Sequence, residues 1–201
     1  MGKLLEKKKQ KRDSLLVAAF ALFTEKGIND TSISDIAKEA HMAKGTFYLY
    51  FKDKFDIRDK LIAAKAKELF VAATKEMNQQ NLMTLEDKVI FLADSIINRL
   101  DENKLLLRFI AKNLSWGVFR SALSSEEESD GYSFYDGYQA LLEESGRHFR
   151  NPELMLYMIV ELVNSTCHSV ILMGEPVTLE ELKKELYGAI RDMIHRQEVL
   201  A

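Results

Sequence analysis

The chain has 201 residues, with 28 Lys and Arg against 31 Asp and Glu, a formal net charge of −3 and 47% hydrophobic residues. The near-neutral total excludes a uniformly basic nucleic-acid coat, and the apolar content excludes a disordered chain. Only 2 prolines and 9 glycines occur. Because tight turns and sheets need these residues, we expect an all-helical protein of one or two domains.

Cys167 is the single cysteine, which excludes an internal disulfide and a multi-thiolate zinc site. We expect it to be a small buried hydrophobic residue. No apolar stretch with a cleavage site follows the lysine-rich first residues. The longest run without Asp, Glu, Lys or Arg, residues 162–174, is shorter than the ~20 residues of a membrane span. We therefore expect a soluble, cytoplasmic protein with no membrane partner.

Apolar periodicity predicts a first helix over about residues 4–26. Ser32 begins a sequence with the form of a capping box, which predicts a second helix of about two turns. A third short helical segment covers residues 44–51. Asp53 is the predicted N-cap of a long fourth helix that reaches about residue 79.

Thr84 is the predicted N-cap of a fifth helix, and a sixth helix covers about residues 104–123. The acidic segment 124–131 has no periodicity, so we expect a loop that either gates a pocket or is simply solvated. A seventh helix follows and extends to about Phe149.

Two strong start signals lie near the C-terminus. Asn151 and Pro152 supply an N-cap and a proline at the first helical position of an eighth helix. Thr178 and Glu181 form a capping box at the start of a ninth helix, over about residues 179–198. The prediction is therefore an all-α fold of about nine helices.

Residues 28–54 contain two short helices joined by a tight turn, which is the geometry of a helix-turn-helix. Phe47 and Phe51, four residues apart, can form the buried side of the second helix. Its other positions supply donors of the kind that contact phosphates, namely Lys44, Thr46, Tyr48 and Tyr50. From spacing alone, an ordinary amphipathic helix whose tyrosines cover the edge of a core remains the alternative.

Thr31-Ser-Ile-Ser-Asp-Ile-Ala-Lys-Glu-Ala40 and Lys44-Gly-Thr-Phe-Tyr-Leu-Tyr-Phe-Lys-Asp-Lys54 resemble the DNA-binding signature of the TetR family of bacterial transcriptional regulators. The resemblance covers about residues 12–60. It implies a three-helix, helix-turn-helix DNA-binding domain, assigned to residues 1–52, and a helical ligand-binding and dimerisation domain, residues 53–201. It also implies a homodimeric repressor that a small-molecule inducer releases from a near-palindromic operator in double-stranded DNA.

The resemblance also assigns DNA contacts to individual positions. The implied contact residues are Thr31, Ser32, Lys44, Gly45, Thr46, Tyr48, Leu49, Tyr50 and Lys54. Two positions depart from the family pattern. His41 stands where the turn usually has glycine, and Ala43 stands where the recognition helix usually has a serine N-cap. These departures leave the turn geometry and the sequence preference open.

Charge is distributed unevenly along the chain. Residues 1–60 carry 13 basic and 9 acidic residues, a balance of +4, whereas the remainder carries 15 and 22, a balance of −7. This asymmetry favours approach of the N-terminal part to DNA. The lysine-rich start either contacts phosphates or a minor groove, or is only a solvated helix start.

The eighth helix is apolar nearly all round, so it needs cover on both sides and, with the ninth, predicts a two-fold four-helix interface. The predicted dimer residues are Met155, Ile159, Leu162, Leu182, Leu186, Ile190 and Met193. An inducer pocket is expected among helices five to eight. Its candidate residues, for which ordinary core packing is the alternative, are Phe109, Trp116, Phe119, Tyr135, Tyr138, Met158, Glu161 and His168.

Glu161, Ser165 and His168 share one side of the eighth helix, where they can anchor a ligand or pair across the dimer. No catalytic constellation is visible, because the chain has no Glu-x-x-His pair and no glycine-rich phosphate loop. Glu144 and His148, four residues apart, are weak metal candidates. We expect no enzyme, metal or cofactor. Two alternatives stay open: a TetR-type regulator whose C-terminal domain binds a protein partner or no ligand, and a helical enzyme.

Overall fold

The computed structural model describes residues 2–113, 117 and 134–199. The described residues form nine α-helices and no strand, which confirms the all-helical prediction. The helices are α1 (Gly2–Glu25), α2 (Ile33–Glu39), α3 (Lys44–Phe47), α4 (Lys54–Met77), α5 (Leu85–Glu102), α6 (Lys104–Asn113), α7 (Phe134–Glu144), α8 (Pro152–Met173) and α9 (Leu179–Gln197).

The chain divides into two compact units, Met1–Ala64 and Lys65–Ala201, and the division falls within α4. In the first unit α2 packs against α1 and α3. Its core contains fully buried side chains at Leu15, Ile36, Phe47, Phe51 and Ile57.

In the second unit α8 packs against α5, α6 and α9, and α9 also packs against α5. By length and composition alone α8 is apolar enough to cross a membrane. Its packing against three other helices, which buries Met155 and Ile159, accounts for this apolar character as that of a core helix. Cys167 is buried as expected, and burial raises the pKa of its thiol to about 11.

The predicted helix starts are confirmed because each depends on a local hydrogen bond. Asp35 N donates to Ser32 Oγ at 3.1 Å, and Ser32 N donates to the Asp35 carboxylate at 3.0 Å, which completes a capping box. The same pair of bonds joins Thr178 to Glu181 at the start of α9. Leu154 N donates to the Asn151 side chain at 2.9 Å.

Two predicted helices differ in extent from the structure. α3 ends at Phe47, and residues 48–50 form a turn. α7 ends at Glu144, so the predicted extension to Phe149 is wrong. The chain bends there because Gly146 has a φ of 65°, and Val199 N donates to His148 O at 2.8 Å. The predicted part of the sixth helix beyond residue 113 and the acidic segment 124–131 lie outside the described residues, apart from residue 117.

Candidate nucleic-acid interface

The turn between α2 and α3 is left-handed at His41, which has a φ of 54°. Met42 N donates to Ala37 O at 2.8 Å and so satisfies a carbonyl at the end of α2. Histidine tolerates this conformation better than most residues do, although glycine adopts it without strain. The His41 side chain is exposed. The chain therefore makes the sharp turn of a helix-turn-helix without glycine.

α3 begins without a side-chain cap, as its sequence indicates. Ala43 has the extended conformation of an N-cap residue, with φ −69° and ψ 145°, but its methyl group accepts no hydrogen bond. The missing cap is commonly worth ~1 kcal/mol.

Two phenylalanines hold α3 in place from beneath. Phe47 is fully buried, Phe51 is 2% exposed, and their ring centroids lie 5.6 Å apart. The Tyr48 ring packs edge-on against Phe47, with 5.6 Å between centroids. Because these rings occupy the core side, the residues between them are turned outward.

The outward surface of this segment combines a cation, a phenol and an apolar side chain. Lys44 is exposed, Tyr48 is 52% exposed and Leu49 is 76% exposed. Thr46 and Tyr50 lie beside them, half-buried. A Cβ on Gly45 would meet no atom within 4 Å, so the packing of this chain does not require glycine there. Folding explains the buried side of α3 but not this outward set.

Thr31 is placed differently from its predicted role. The residue is 1% exposed, and its hydroxyl donates to Gly27 O at 2.7 Å. A hydroxyl has one proton to donate, and this one lies inside the loop between α1 and α2. The structure therefore gives Thr31 a part in closing that loop and no accessible hydroxyl for a phosphate.

Ser32 is exposed, but Asp35 occupies its donors. Its hydroxyl donates to the Asp35 carboxylate at 2.8 Å, and its backbone N–H donates to the same oxygen. These bonds, with a further contribution from Lys26, lower the pKa of Asp35 from 3.8 to about 2. A phosphate at Ser32 would compete with a carboxylate that is already bound.

Lys54 is also engaged within the chain. Its Nζ donates to the carbonyl oxygens of Ile28 and Asn29 at 3.0 Å each, and to Thr31 O at 3.4 Å. An ammonium group has three protons. Lys54 thus ties the start of α4 to the loop before α2, and contact with a phosphate would require it to release a carbonyl.

Other cations of the first unit are unengaged. Lys38, Lys44 and Lys52 are exposed, and the described residues place no carboxylate within salt-bridge distance of them. The exposed residues Lys7, Lys8, Lys9 and Lys11 add charge near the start of α1.

In the second unit, a cavity of about 110 Å³ is enclosed by parts of α4, α5, α6, α7 and α8. Among the predicted pocket residues, Tyr138 lines it, and its hydroxyl donates to Pro152 O at 2.9 Å. Burial raises the pKa of Tyr138 above its ordinary value.

The remaining pocket candidates do not line this cavity. Phe109 is buried elsewhere in the core, Tyr135 is half-buried, and Met158 is 38% exposed. Glu161 and His168 are half-buried on α8, outside the lining. Trp116 and Phe119 lie outside the described residues. The residues that sequence reasoning missed share one face of α8 with spacings of three and four: Leu156, Ile159, Val160, Val163 and Asn164.

The predicted dimer residues divide into two groups. Met155, Ile159, Leu186 and Ile190 are at most 6% exposed inside the second unit, so they offer no surface to a second copy. This corrects the assignment of these four, because the apolar stripe of each helix faces the chain's own core. The half-buried residues are Leu162, Leu182 and Met193, whereas α8 exposes Leu154, Tyr157 and Met158.

The proposed metal pair is not assembled. Glu144 forms a salt bridge with Lys88 at 2.8 Å, and His148 lies beyond the end of α7. Across the part of the chain that the structure describes, no three His, Cys, Asp or Glu side chains cluster in a way that could hold a metal ion.

Comparison with known proteins places the first unit among bacterial regulators. Residues 15–61 match the family profile described as bacterial regulatory proteins, tetR family. The chain is 48% identical over 59 residues to the uncharacterized HTH-type transcriptional regulator YvdT of Bacillus subtilis, covering 29% of this chain and 28% of that protein. The matches span between 16% and 39% of the length of the first three curated relatives.

Two matches extend over nearly the whole chain. An HTH-type transcriptional regulator of Staphylococcus aureus is 23% identical over 191 residues, covering 94% of this chain and 97% of that one. The crystal structure of the transcriptional regulator FadR from Bacillus subtilis in complex with stearoyl-CoA has a TM-score of 0.64 at 20% identity, covering 88% of this chain and 96% of that one. These likenesses show a shared fold.

Proposed function

This chain belongs to the TetR family of bacterial regulatory proteins, and we propose from this that it is a cytoplasmic, DNA-binding transcriptional repressor. It binds a near-palindromic operator as a homodimer, and a small-molecule inducer releases it. The first unit supplies the DNA contacts and the second unit supplies the dimer contacts and the ligand site.

One observation carries the proposal, namely the outward surface of α3 and the turn that follows it. Lys44, Tyr48 and Leu49 project from a segment whose opposite side is fixed by buried phenylalanine. A cation and a phenol are donors to phosphate, and an exposed leucine fits against the methyl group of thymine. The bare Cα of Gly45 allows the backbone to approach the DNA closely.

The geometry divides the other predicted DNA residues by role. Thr46 and Tyr50, beside the outward set, are proposed to contact the DNA backbone. Ser32 contacts it only by exchanging Asp35 for a phosphate. Thr31 and Lys54 act indirectly, by fixing the loop before α2 through the bonds described above.

A DNA-binding assay tests this site. Duplex DNA from upstream of the coding region is titrated with the protein and with Lys44→Ala/Tyr48→Ala. The double variant is expected to bind more than tenfold more weakly at unchanged helicity, since it loses two contacts that each contribute about 1 kcal/mol or more. Lys75→Ala, an exposed lysine of the second unit, is the matched control and retains full affinity. Equal binding by the double variant and the wild type would overturn the site assignment.

The homodimer is proposed to form through the exposed apolar side of α8. Leu154, Tyr157 and Met158 lie within four residues, so they share one face of the helix. The double variant Leu154→Glu/Met158→Glu is expected to sediment as a monomer and to lose affinity for the two-half-site operator. Met83→Glu, at a side chain that is 81% exposed outside α8, is the control and remains a dimer. A double variant that stays dimeric contradicts this face.

Release by a ligand is proposed because the second unit encloses an apolar cavity, as small-molecule sites usually do. The stearoyl-CoA complex of the Bacillus subtilis FadR structure supports a ligand in this fold without identifying one for this chain. The alternative is a regulator whose C-terminal domain binds a protein partner or no ligand. An operator complex that no cavity-binding compound dissociates would favour that alternative.

A further inference from the structure

The lining of the cavity is almost entirely hydrocarbon. Fourteen of its sixteen residues are apolar, and only Phe70 among these fourteen is aromatic. Within the described lining no side chain carries a charge. A charged group loses its hydration on entering such a space and gains no partner, which costs several kcal/mol. The buried part of any occupant is therefore uncharged.

The cavity is long for its volume. Its lining on α8 extends from Leu156 to Asn164, a rise of about 12 Å, and on α5 from Val89 to Leu100, about 16 Å, at ~1.5 Å per residue. Its volume of about 110 Å³ is smaller than the ~150 Å³ of an apolar cavity known to hold benzene. A small volume spread over two to three helical turns is a narrow channel, which suits a straight chain better than a ring.

One polar group in the lining is unpaired. The Tyr138 hydroxyl already donates to Pro152 O. Asn164 is half-buried at the last lining position of α8, and no described residue hydrogen-bonds its side-chain amide. A carboxamide both donates and accepts. It can therefore pair with one neutral oxygen of a ligand at this end of the channel.

We propose that the cavity binds a neutral, straight-chain alkyl compound whose single polar oxygen lies at Asn164. The alkyl chain extends from there along α8 toward Leu156. The inference rests on the proposed function only in taking this cavity as the inducer site, because binding itself involves no DNA.

Straight-chain alcohols are suitable probes for the full-length protein. Butanol, hexanol, octanol and decanol are titrated calorimetrically, and each added methylene is expected to lower Kd about fourfold, equivalent to ~0.8 kcal/mol, until the channel is full. Cyclohexylmethanol is expected to bind at least tenfold more weakly than heptanol. Octylammonium and octanoate are expected to bind at least tenfold more weakly than octanol. A Kd independent of chain length, or equal binding of the charged analogues, would overturn the proposal.

Variants that fill the channel locate the site. Val163→Phe and Ala93→Leu add volume from two different helices, and both are expected to weaken octanol binding at least tenfold while the circular dichroism spectrum is unchanged. Using both substitutions guards against a single variant that fails to fold. Val71→Phe adds the same bulk as Val163→Phe at an α4 side chain that is 44% exposed and is expected to bind octanol like the wild type. Full octanol binding by a folded, filled variant contradicts the assignment.

Asn164 is tested by a ratio of affinities. Hexanol and heptane have the same number of heavy atoms, so their relative affinity isolates the oxygen. The wild type is expected to prefer hexanol several-fold more than Asn164→Leu does, because one hydrogen bond contributes ~1 kcal/mol. An unchanged ratio would remove Asn164 from the proposal. If octanol binds but does not lower operator affinity, the ligand class stands and the release step of the proposed function fails.

Discussion

Lys54 is the residue for which a structural role and a DNA-binding role are most sharply distinguished. Its ammonium group donates to three backbone carbonyls, two at 3.0 Å and one at 3.4 Å. Lys54→Met keeps most of the aliphatic length and removes the charge and all three bonds. These carbonyls are partly exposed, so water recovers part of the loss. Counting ~1 kcal/mol for each of the two shorter bonds gives a destabilisation of about 2 kcal/mol.

The effect of the same substitution on DNA binding is expected to be different in kind. A lysine that contacts a phosphate contributes ~0.9 to the slope of log K against log salt concentration. Because the Lys54 protons are already bound to carbonyls, Lys54→Met should change this slope by less than half of that amount. Lys44→Met is the matched comparison, since Lys44 is exposed and lacks a described carboxylate partner. It should lower the slope by ~0.9 and leave the free energy of unfolding unchanged.

Two measurements on the full-length variants test this reasoning. Urea unfolding followed by circular dichroism gives the change in stability, and fluorescence anisotropy of labelled operator DNA at several salt concentrations gives the slope. The reasoning is refuted if Lys54→Met unfolds like the wild type and loses a full phosphate contact. That result would mean that the ammonium group exchanges its carbonyls for DNA at no cost.

Three further predictions concern caps and charges. Ala43→Ser supplies the missing N-cap of α3 and should stabilise the chain by ~1 kcal/mol in urea unfolding, whereas Ala43→Val should not. The pKa of Asp35 is lowered from 3.8 to about 2 in the folded chain, so its capping bond with Ser32 stabilises fully above pH 3.8 and is lost as the pH falls through about 2. Asp35→Asn should therefore be less stable than the wild type at neutral pH and equal to it below pH 2. Arg147→Met leaves the Glu86 carboxylate, which its guanidinium binds at 2.6 Å, without its strongest partner and should cost about 3 kcal/mol. Combining it with Glu86→Leu should recover most of that loss, and a double variant less stable than Arg147→Met would contradict the account.

The sequence was sufficient for features that depend on neighbouring residues. The caps at Ser32, Asn151 and Thr178 each require a hydrogen bond across three residues, so the residue types alone predict them. The buried pair Phe47 and Phe51 follows from a spacing of four. The left-handed turn at His41 was expected from the resemblance to a family that places glycine there.

Pairings between distant parts of the chain could not be predicted in this way. Thr31 was assigned to phosphate because sequence shows a hydroxyl but not the carbonyl of Gly27 beside it. The end of α7 at Glu144 depends partly on the pairing of His148 with Val199, about fifty positions later. Such contacts are set by how whole helices pack.

The apolar helices mark the same division. Periodicity alone identified α8 and α9 as amphipathic or apolar, and it placed Met155 and Ile190 on their apolar sides. A stripe of apolar side chains looks the same whether it faces the chain's own core or a second copy, because burial against either removes the same area from water. Only the tertiary structure turned Met155 and Ile190 inward, left Leu154 and Met158 outside, and enclosed a channel beside Asn164. The sequence therefore determined which helices form and which family they belong to, whereas packing decided which side of each helix is available for a partner or a ligand.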